Sequence, residues 1–430
     1  MDTNLKTRMS PPLGLLTLIN LTPPEHEVIL CNENIERIDY KTEVDLVGVT
    51  VTLDVFPRAC DITEKFRKRG IPVVAGGIHI TCCPEDCQPY FDAICVGAAE
   101  RVWAKIIGDA ANRSLKPVYR DMDGFRGEEI VSPKYDAIKG KKYLYTNVVT
   151  VSRGCPHRCD FCYNSAANRF YVWRPVAEVI KDIKALNTKH IFFVDDNFIG
   201  NPAYTRELLL AIKDMNLKWN AAVTAKILLH LDLLDLMAQT GCQSLFIGFE
   251  SVNAAALKGV GKDNYAETYE RLVRELHSRG IMINASMVFG LDEDGEDVFD
   301  NTLNWLISNK IETVTSHILT PYPGTALYNR MKAADRITDQ NLAYYNTAHV
   351  VYRPQKLSEK DLYAGYLRVY REFYSFKNIM RRRPENRKQR MPYFLFNFLY
   401  RKFGFLSSAL CRVIPMGMLG RIAEKLSYKA

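Results

Sequence analysis

Three cysteines in the middle of the chain have a spacing that can bind an inorganic cluster. Cys155, Cys159 and Cys162 lie in the run Val-Ser-Arg-Gly-Cys-Pro-His-Arg-Cys-Asp-Phe-Cys-Tyr-Asn. A strand cannot place three thiolates with this spacing on one face, whereas a loop lets them converge. A cubane iron–sulfur cluster held by only three thiolates keeps one iron without a protein ligand, and an open coordination position is where a metal centre does chemistry. The motif therefore predicts a reactive 4Fe-4S cluster.

Two other uses of these cysteines are open from the sequence. A structural zinc site needs four nitrogen or sulfur ligands, and no second Cys-x-x-Cys pair accompanies this loop, although His157 lies inside it. Disulfides need an oxidising compartment, but no signal peptide is recognisable and the eleven cysteines are an odd number. The cysteine usage is typical of a reducing cytoplasm, which favours the cluster.

The positive charge of the chain is concentrated near its C-terminus. Residues 375–430 contain thirteen Lys or Arg against two Glu, a local charge of +11, whereas the whole chain carries +8. The remainder is therefore slightly acidic, at −3. If the protein binds a negatively charged partner, we expect this basic segment to bind it.

The basic segment is also aromatic, with Tyr393, Phe394, Phe396, Phe398 and Tyr400 close together. Aromatic residues mixed with arginines suit a membrane interface, so peripheral binding to the inner face of the membrane is one prediction. The alternative is a helix pair that packs on the body or on a protein partner. No run of eighteen uncharged apolar residues predicts a spanning helix, and no nucleic-acid-reading module is recognisable.

The N-terminal part has the pattern of a parallel α/β sheet. Apolar runs predict strands at 28–30, 46–51, 71–74 and 93–96, with a helix at 58–69. We predict a doubly wound, Rossmann-like domain over 1–110, then a polar linker over 111–145. Ligands bind such sheets at the carboxyl ends of the strands, here Thr50 to Asp54, Gly76 to His79 and Gly97 to Glu100.

A second alternating series predicts a partial barrel. The expected strands are 147–152, 191–195, 219–222, 244–249, 282–289 and 314–319, and the expected helices are 175–186, 202–215, 228–240, 264–279 and 296–308. Six consecutive βα steps predict a partial (β/α)6 TIM barrel over 146–335, with active groups at the C-terminal strand ends. The cysteine loop follows the first of these strands.

Several of these strands end in polar residues or glycine. Asp195, Asp196 and Asn197 follow the second strand, Glu250 the fourth and Gly290 the fifth. Each taken singly is commonly a helix cap or a turn. Together they offer groups that bind an ammonium group, ribose hydroxyls or an adenine.

The cysteine motif resembles the signature of the radical S-adenosylmethionine (radical SAM) enzymes, in which S-adenosylmethionine chelates the open iron and its reductive cleavage yields a 5′-deoxyadenosyl radical. Gly-Phe-Glu-Ser at 248–251, Val-Phe-Gly-Leu-Asp at 288–292 and Pro-Tyr-Pro-Gly-Thr at 321–325 are similar to strand-end segments of the cobalamin-binding branch. Residues 346–380 are similar to the extension of one subgroup. The resemblance implies an extension over 336–380, before a basic, aromatic, helical tail over 381–430.

The resemblance implies roles for particular residues. The three cysteines would hold the 4Fe-4S cluster, and Phe161 and Gly290 would lie beside the adenine of S-adenosylmethionine. Its methionine amino group would contact Asp195, Asp196 and Asn197, and its ribose or methionine would contact Glu250. The residues implied for cobalamin are Thr50, Thr52, Leu53, Gly76, Gly77, His79 and Gly97. No Asp-x-His-x-x-Gly motif occurs, so a cobalt-ligating histidine from that motif is not expected.

Two features depart from the family pattern. A hydrophobic strand usually precedes the Pro-Pro-Leu-Gly-Leu segment, here 11–15, but residues 1–10 are polar. The expectation is therefore a cobalamin-type domain that is incomplete at its start, one that takes a replacement strand from elsewhere, or a chain whose start lies upstream. Ala98 and Ala99 stand where the family often has Glu and Gly, which removes one polar contact near the ligand loop.

The leading functional prediction is a cobalamin-dependent C-methyltransferase that acts on an unactivated carbon of a small or lipid-like metabolite. Its electrons would come from a donor such as flavodoxin or ferredoxin, and it would work in the cytoplasm. One alternative is a radical SAM cyclase, oxidase or rearrangement enzyme of the same branch. Another is a non-catalytic iron–sulfur or metal-binding adaptor anchored by the basic tail.

Overall fold

The computed structural model describes residues 10–121, 124–141, 143, 145–167, 170–260 and 266–400. These residues form an α/β protein with a four-stranded sheet, a six-stranded sheet and a two-stranded ribbon. All strand pairs within the two larger sheets are parallel. The α/β class with parallel sheets is the class that the sequence predicts.

The first sheet contains four strands in the order in which they occur in the chain. These strands are β1 (Val47–Thr50), β2 (Val73–Gly76), β3 (Ala93–Gly97) and β4 (Val118–Asp121). The helices of this part are α1 (Leu13–Leu21), α2 (Phe56–Arg67), α3 (Ile78–Cys82), α4 (Pro84–Cys87) and α5 (Trp103–Ala111).

Helices cover both faces of this sheet. Val73 and Ala75 of β2 belong to a core that includes Phe66 of α2. Val74, between them, belongs to a second core that includes Ile106 of α5. Because alternate residues of one strand enter opposite cores, the strand must be apolar without interruption, which explains the apolar runs in the sequence.

Two expectations for this part of the chain are wrong. Residues 28–30, predicted as a strand, have no regular secondary structure, and Val28 and Ile29 are exposed. An apolar run becomes a strand only where another strand pairs with its backbone, and β1 forms the edge of the described sheet. Conversely, β4 lies inside the segment predicted as a linker. The sequence does not predict this strand, because only Tyr119 and Asp121 are buried and the residues therefore form no apolar run.

The strand order of the first sheet has no reversal among the described residues. A reversal is what creates the ligand crevice of a doubly wound sheet. The sheet therefore has helices on both faces, as a doubly wound fold does, but the order of its four strands lacks the reversal that such a fold contains.

The second sheet has six strands in the order β12-β11-β10-β9-β8-β5. They are β5 (Val148–Val149), β8 (His190–Phe193), β9 (Lys218–Thr224), β10 (Cys242–Glu250), β11 (Met282–Phe289) and β12 (Thr313–Ile318). A short antiparallel ribbon joins β6 (Ser152–Arg153) to β7 (Val172–Trp173). The first predicted strand, 147–152, is thus divided between β5 and β6.

Helices alternate with these strands, as predicted. They are α6 (Tyr163–Ala167), α7 (Val176–Leu186), α8 (Pro202–Ile212), α9 (Leu231–Gln239), α10 (Ala254–Gly259), α11 (Tyr269–Ser278) and α12 (Val298–Ser308). The main core lies between the strands and these helices and contains Trp219, Leu245, Ile283 and Val314. A continuous apolar core of this kind keeps the carboxyl ends of the strands in register, which positions the loops that follow them.

The chain continues after β12 with α13 (Ala326–Ala333), α14 (Glu359–Phe373), α15 (Phe376–Arg381) and α16 (Arg387–Tyr400). The buried Arg382 donates to the carbonyls of Ile311 (2.7 Å) and Glu312 (3.0 Å), just before β12 begins. Asn397 Nδ2 also donates to the Glu312 carbonyl (3.0 Å). The region of α15 and α16 is therefore fixed at the amino-terminal end of the second sheet.

Residues 401–430, most of the predicted tail, lie outside the described part of the chain. Within the described ranges, no helix has the length and apolar character needed to cross a membrane.

Candidate functional site

The cysteine loop lies at the carboxyl end of the second sheet, between β6 and α6. Its middle is fixed by Asp160, whose backbone N–H donates to the Val260 carbonyl (3.4 Å) and whose carbonyl accepts from the Leu327 N–H (3.1 Å). The Arg330 guanidinium pairs with the Asp160 carboxylate at 2.6 Å. The loop begins near β5, the first strand of the second sheet, and is held by residues that follow β10 and β12. It therefore covers the carboxyl end of this sheet.

The three cysteines of this loop are all partly exposed and free of disulfides. Burial raises the pKa of the Cys155 thiol, although a hydrogen bond from the Asn197 side chain acts in the opposite direction. Among the described residues, no three His, Cys, Asp or Glu side chains are arranged to share one metal ion. A zinc site would need that arrangement, whereas each thiolate on a cubane binds a different iron. Three cysteine thiolates in one loop are the ligand type that an iron–sulfur cluster takes.

A cavity of about 420 Å³ lies between the carboxyl ends of the two sheets. On the side of the first sheet it is lined by four of the residues implied for cobalamin: Thr50, Gly76, Gly77 and Gly97. From the second sheet it is lined by Asp195 and Asp196, and Gly154 and Asn164 bring the cysteine loop and α6 to the same wall. Part of each set of predicted ligand residues thus lines the same cavity.

Asp195 and Asp196 have different environments. Asp195 is buried, and its carboxylate accepts from the backbone N–H groups of Val151 (2.9 Å) and Ser152 (2.6 Å) and from the Ser152 hydroxyl (2.8 Å). Asp196 is open to the cavity and accepts one hydrogen bond, from Asn164 Nδ2 (2.5 Å). Asp195 therefore holds the strand that leads into the cysteine loop, and Asp196 is the one with capacity for a ligand.

The pKa values of both carboxyls are raised to about 6, mainly because protein atoms surround them and disfavour the charge. Asp196 is nevertheless solvent-accessible inside the cavity, so its shift depends on what the cavity contains. Binding of a cationic group there would favour the ionised carboxylate.

Asn197 and Glu250 also lie at strand ends, but neither lines the cavity. Asn197 is buried, and its Oδ1 atom has no hydrogen-bond partner in the described chain. Glu250 adopts a left-handed backbone conformation with φ of 64°, at an irregularity of β10. A non-glycine residue in this region costs about 1–3 kcal/mol and is typical of ligand sites. In the protein without a ligand, the unpartnered Asn197 Oδ1 and the backbone conformation of Glu250 are therefore both energetically unfavourable.

Gly290 and Phe161 both pack against other side chains. Gly290 has φ of +92°, and an added Cβ would lie 2.2 Å from the Tyr352 hydroxyl and 2.7 Å from Leu362 Cδ2. Phe161 packs against the apolar cluster that includes Val260 and Leu291. In this structure Gly290 is therefore covered by the extension.

Three of the residues implied for cobalamin point elsewhere. Thr52 donates its hydroxyl hydrogen to Asp54 (2.7 Å), and Leu53 is buried against Tyr345 and Val351 of the extension. His79 is buried and lies within hydrogen-bond distance of Tyr163. None of the three lines the cavity.

The structure adds cavity residues that sequence reasoning missed. One wall is apolar and comprises Leu13, Leu15 and Leu18 of α1 together with Ile130 and Val131. Arg153 is another such residue, and it joins the two halves of the cavity through an ion pair of 2.6 Å with Glu100, which belongs to a strand-end segment that the sequence does single out. The Pro-Pro-Leu-Gly-Leu resemblance pointed at α1, but the segment around 130 lies in the predicted linker and carried no signal.

Parts of this chain are similar to known proteins. The sequence model of the radical SAM superfamily matches residues 149–306. The bacteriochlorophyllide d C-8(2)-methyltransferase of Chlorobaculum tepidum is 29% identical over 403 residues, 89% of each chain. The hopanoid C-2 methylase of Rhodopseudomonas palustris is 27% identical over 345 residues, 76% of this chain and 65% of its own.

Solved structures show the same fold. The cobalamin-dependent S-adenosylmethionine radical enzyme OxsB, solved with aqua-cobalamin, has a TM-score of 0.67 and 15% identity over 96% of this chain and 74% of its own. The radical S-adenosylmethionine methyltransferase TsrM of Kitasatospora setae, solved with cobalamin and a 4Fe-4S cluster, has a TM-score of 0.57 and 17% identity over 68% of each chain. At these identities the similarity establishes the fold alone.

Proposed function

Because the sequence model of the radical SAM superfamily matches residues 149–306, we propose that the protein is a cobalamin-dependent radical SAM C-methyltransferase. The observation that carries the proposal is the shared cavity. Strand ends of the first sheet and the Asp195–Asp196 pair beside the cysteine loop line the same 420 Å³ space. Two cofactors bound at these two walls would meet there.

The proposal interprets the two sheets as two domains. The first sheet would be the cobalamin-binding-type, Rossmann-like domain, and it extends beyond residue 110 to include β4. The second sheet, with strands in sequential order and helices between them, would be the partial (β/α)6 barrel over 146–335. Residues 336–380 and the segment from 381 would be the extension and the tail.

Cys155, Cys159 and Cys162 would hold the 4Fe-4S cluster, which supplies one-electron reduction of bound S-adenosylmethionine. Asp196 would accept a hydrogen bond from its cationic amino group, because Asp196 faces the cavity and has only one partner. Asp195 would act indirectly, by fixing Val151 and Ser152 ahead of the cysteine loop. The unpartnered Asn197 Oδ1 beside Cys155 would accept a polar hydrogen of the bound cofactor.

Cobalamin would lie against Thr50, Gly76, Gly77 and Gly97, where strand ends let a ligand approach the backbone. We do not assign Thr52, Leu53 or His79 to this contact, because their side chains are engaged elsewhere. When bound, the corrinoid supplies the methyl group that is transferred.

The substrate class is inferred from the relatives and from the cavity wall. The relatives are named for bacteriochlorophyllides and hopanoids, which are large and mostly apolar. The leucines of α1, with Ile130 and Val131, give the cavity an apolar side that suits such a molecule. We therefore infer a lipid-like or tetrapyrrole substrate.

Ring closure is the second candidate, because the anaerobic magnesium-protoporphyrin IX monomethyl ester cyclase of a Synechocystis species is 25% identical over 74% of this chain. Methylation is favoured because the relatives of higher identity are methyltransferases.

The two candidates differ in the mass of the product. Anaerobic, reconstituted protein should be incubated with S-adenosylmethionine carrying a deuterated methyl group, a reductant and cobalamin. The substrates offered should be chlorophyllide, hopene and, for the cyclase, magnesium-protoporphyrin IX monomethyl ester. A product that gains the labelled methyl group supports methyl transfer. A product that loses hydrogen without gaining a methyl group supports the cyclase, and deoxyadenosine without any cobalamin binding would refute the methyltransferase proposal.

Two partners complete the proposal. Flavodoxin or ferredoxin would supply electrons. An anionic membrane surface would bind the region of α15 and α16, where Met391 and Phe398 are exposed seven residues apart on one helix face and Lys377, Arg381 and Arg387 are also exposed. This region lies at the amino-terminal end of the second sheet, opposite the cysteine loop, so it would anchor the protein and not deliver substrate directly.

Vesicle binding tests the membrane proposal. Met391→Glu and Phe398→Glu should lower sedimentation with phosphatidylglycerol-containing vesicles by about tenfold. Leu210 on α8 is exposed to the same extent as Met391, 54% against 55%, so Leu210→Glu is a matched control. Equal binding by all three variants would rule out this face.

A further inference from the structure

Tyr163, the residue after the last motif cysteine, contacts the first domain. Its hydroxyl oxygen is 2.6 Å from His79 Nδ1, although the two residues are 84 positions apart in the chain. His79 is buried on α3, where its ring lies nearly perpendicular to that of Phe56 at a centroid distance of 4.9 Å. Burial lowers the pKa of His79 to about 4, so the imidazole is neutral at physiological pH.

Two further contacts fix the position of Tyr163. Its ring stacks on Tyr322, in the loop after β12, with centroids 4.8 Å apart and planes 17° apart. Its carbonyl accepts a weak hydrogen bond from the Cys82 thiol, at the end of α3, at 3.8 Å. One residue therefore contacts the first domain, the cysteine loop and the last strand-end loop.

The start of α3 is closely packed and faces the cavity. Gly77, immediately before it, has φ of +108°, and an added Cβ would lie 2.8 Å from backbone atoms of Val51. Gly77 also lines the cavity. A short path therefore connects the proposed cobalamin wall to Cys162 through Gly77, His79 and Tyr163.

We propose that His79 and Tyr163 form an interdomain latch, in which Tyr163 is a positioning residue that fixes Cys162 relative to the cavity-lining strand end at Gly76 and Gly77. The latch gives His79 a role other than ligand binding. Its consequence for cofactor spacing rests on the proposed function, but the contact itself does not.

Hydrogen exchange of the protein without cofactors tests the latch directly. The Cys162 and Ala166 N–H groups are hydrogen-bonded to the Cys159 and Cys162 carbonyls, so their exchange reports opening of this segment. His79→Leu or Tyr163→Phe should speed exchange in a peptide covering 155–167 by about fivefold, the effect of losing one net hydrogen bond. The double variant should be no faster than either single variant.

Three comparisons separate the latch from general destabilisation. A peptide covering 242–250, in the core strand β10, should exchange at an unchanged rate. Tyr374→Phe removes another buried tyrosine hydroxyl, which donates to the Val314 carbonyl at 2.8 Å, and should leave 155–167 unchanged. His79→Asn places a polar atom near the position of Nδ1 and should restore most of the protection.

The outcomes that would overturn the latch are additive effects of the two substitutions, or equal acceleration in 242–250 and 155–167. A second readout uses loaded enzyme: His79→Leu should raise the ratio of deoxyadenosine to methylated product several-fold without changing KM for S-adenosylmethionine. If wild-type enzyme makes no methylated product, the proposed function fails, while the exchange rates still decide whether the latch exists.

Discussion

Replacement of Asp195 by alanine should destabilise the protein and remove the cluster without a direct effect on S-adenosylmethionine contacts. The Asp195 carboxylate is the acceptor for the N–H groups of Val151 and Ser152 and for the Ser152 hydroxyl. These donors lie three and four residues before Cys155. The substitution therefore acts on the entry to the cysteine loop.

The size of the effect follows from the donors that lose their acceptor. Two buried backbone N–H groups without a partner cost about 1–3 kcal/mol each, and the serine hydroxyl can rotate to another acceptor. The total is about 4 kcal/mol, which corresponds to a fall in Tm of roughly 8–16 °C for a domain of this size. Asp195→Asn keeps an oxygen in place and should cost roughly half as much.

The assay is thermal unfolding of the protein without cofactors, followed by iron and sulfide content after reconstitution. Asp196→Ala is the matched control, because its carboxylate has a single partner, Asn164, at the open cavity. We expect a Tm change below about 2 °C for this control and a raised KM for S-adenosylmethionine. Equal Tm values for the two alanine variants would refute the division of roles between the adjacent aspartates.

Three further predictions concern the surroundings of the site. Burial raises the pKa of Asp294 to about 7 from the ordinary 3.8, so the folded state binds the proton more tightly and stability falls as pH rises to 7. Between pH 5 and 8 this loss is about 3 kcal/mol, and Asp294→Asn should reduce the accompanying fall in Tm by several degrees. Gly290→Ala should cost about 3 kcal/mol or more, because its Cβ meets Tyr352, whereas Gly140→Ala, with φ of +80° and no atom within 4 Å, should cost about 1 kcal/mol by the same thermal assay. Arg382→Leu should make 376–400 sensitive to limited proteolysis, because carbonyls before β12 lose their buried donor, while substitution of the exposed Arg383 should not.

The elements that the sequence predicts best are those whose burial is uniform. Strands β2, β3 and β8 to β12 are apolar or regularly alternating, and such a pattern indicates a strand whichever strands pair with it. By contrast, Val28 and Ile29 have the same composition but no strand to pair with. Strand β4 has a partner but only two buried residues, Tyr119 and Asp121, so its pattern was too short to detect.

At the site, the sequence predicts which residues lie at strand ends but not which way their side chains point or which distant residues they contact. The Asp195-Asp196-Asn197 run predicts polar groups at a strand end, but not that Asp195 turns to the backbone while Asp196 faces the cavity. His79 belongs to a strand-end segment that predicts ligand contact, yet its partner is Tyr163, 84 residues away. Long-range contacts of this kind depend on how the two sheets pack, which no local pattern encodes.

We propose that one protein holds a 4Fe-4S cluster on Cys155, Cys159 and Cys162 and a corrinoid in the adjoining cavity. The most direct test is the absorption spectrum of protein purified without oxygen from cells supplied with cobalamin. We predict overlapping iron–sulfur and corrinoid bands, with loss of only the iron–sulfur absorbance when the three cysteines are replaced by alanine. A spectrum without corrinoid bands would contradict the cobalamin assignment, and iron–sulfur absorbance that persists in the triple variant would contradict the assignment of the cluster to these cysteines.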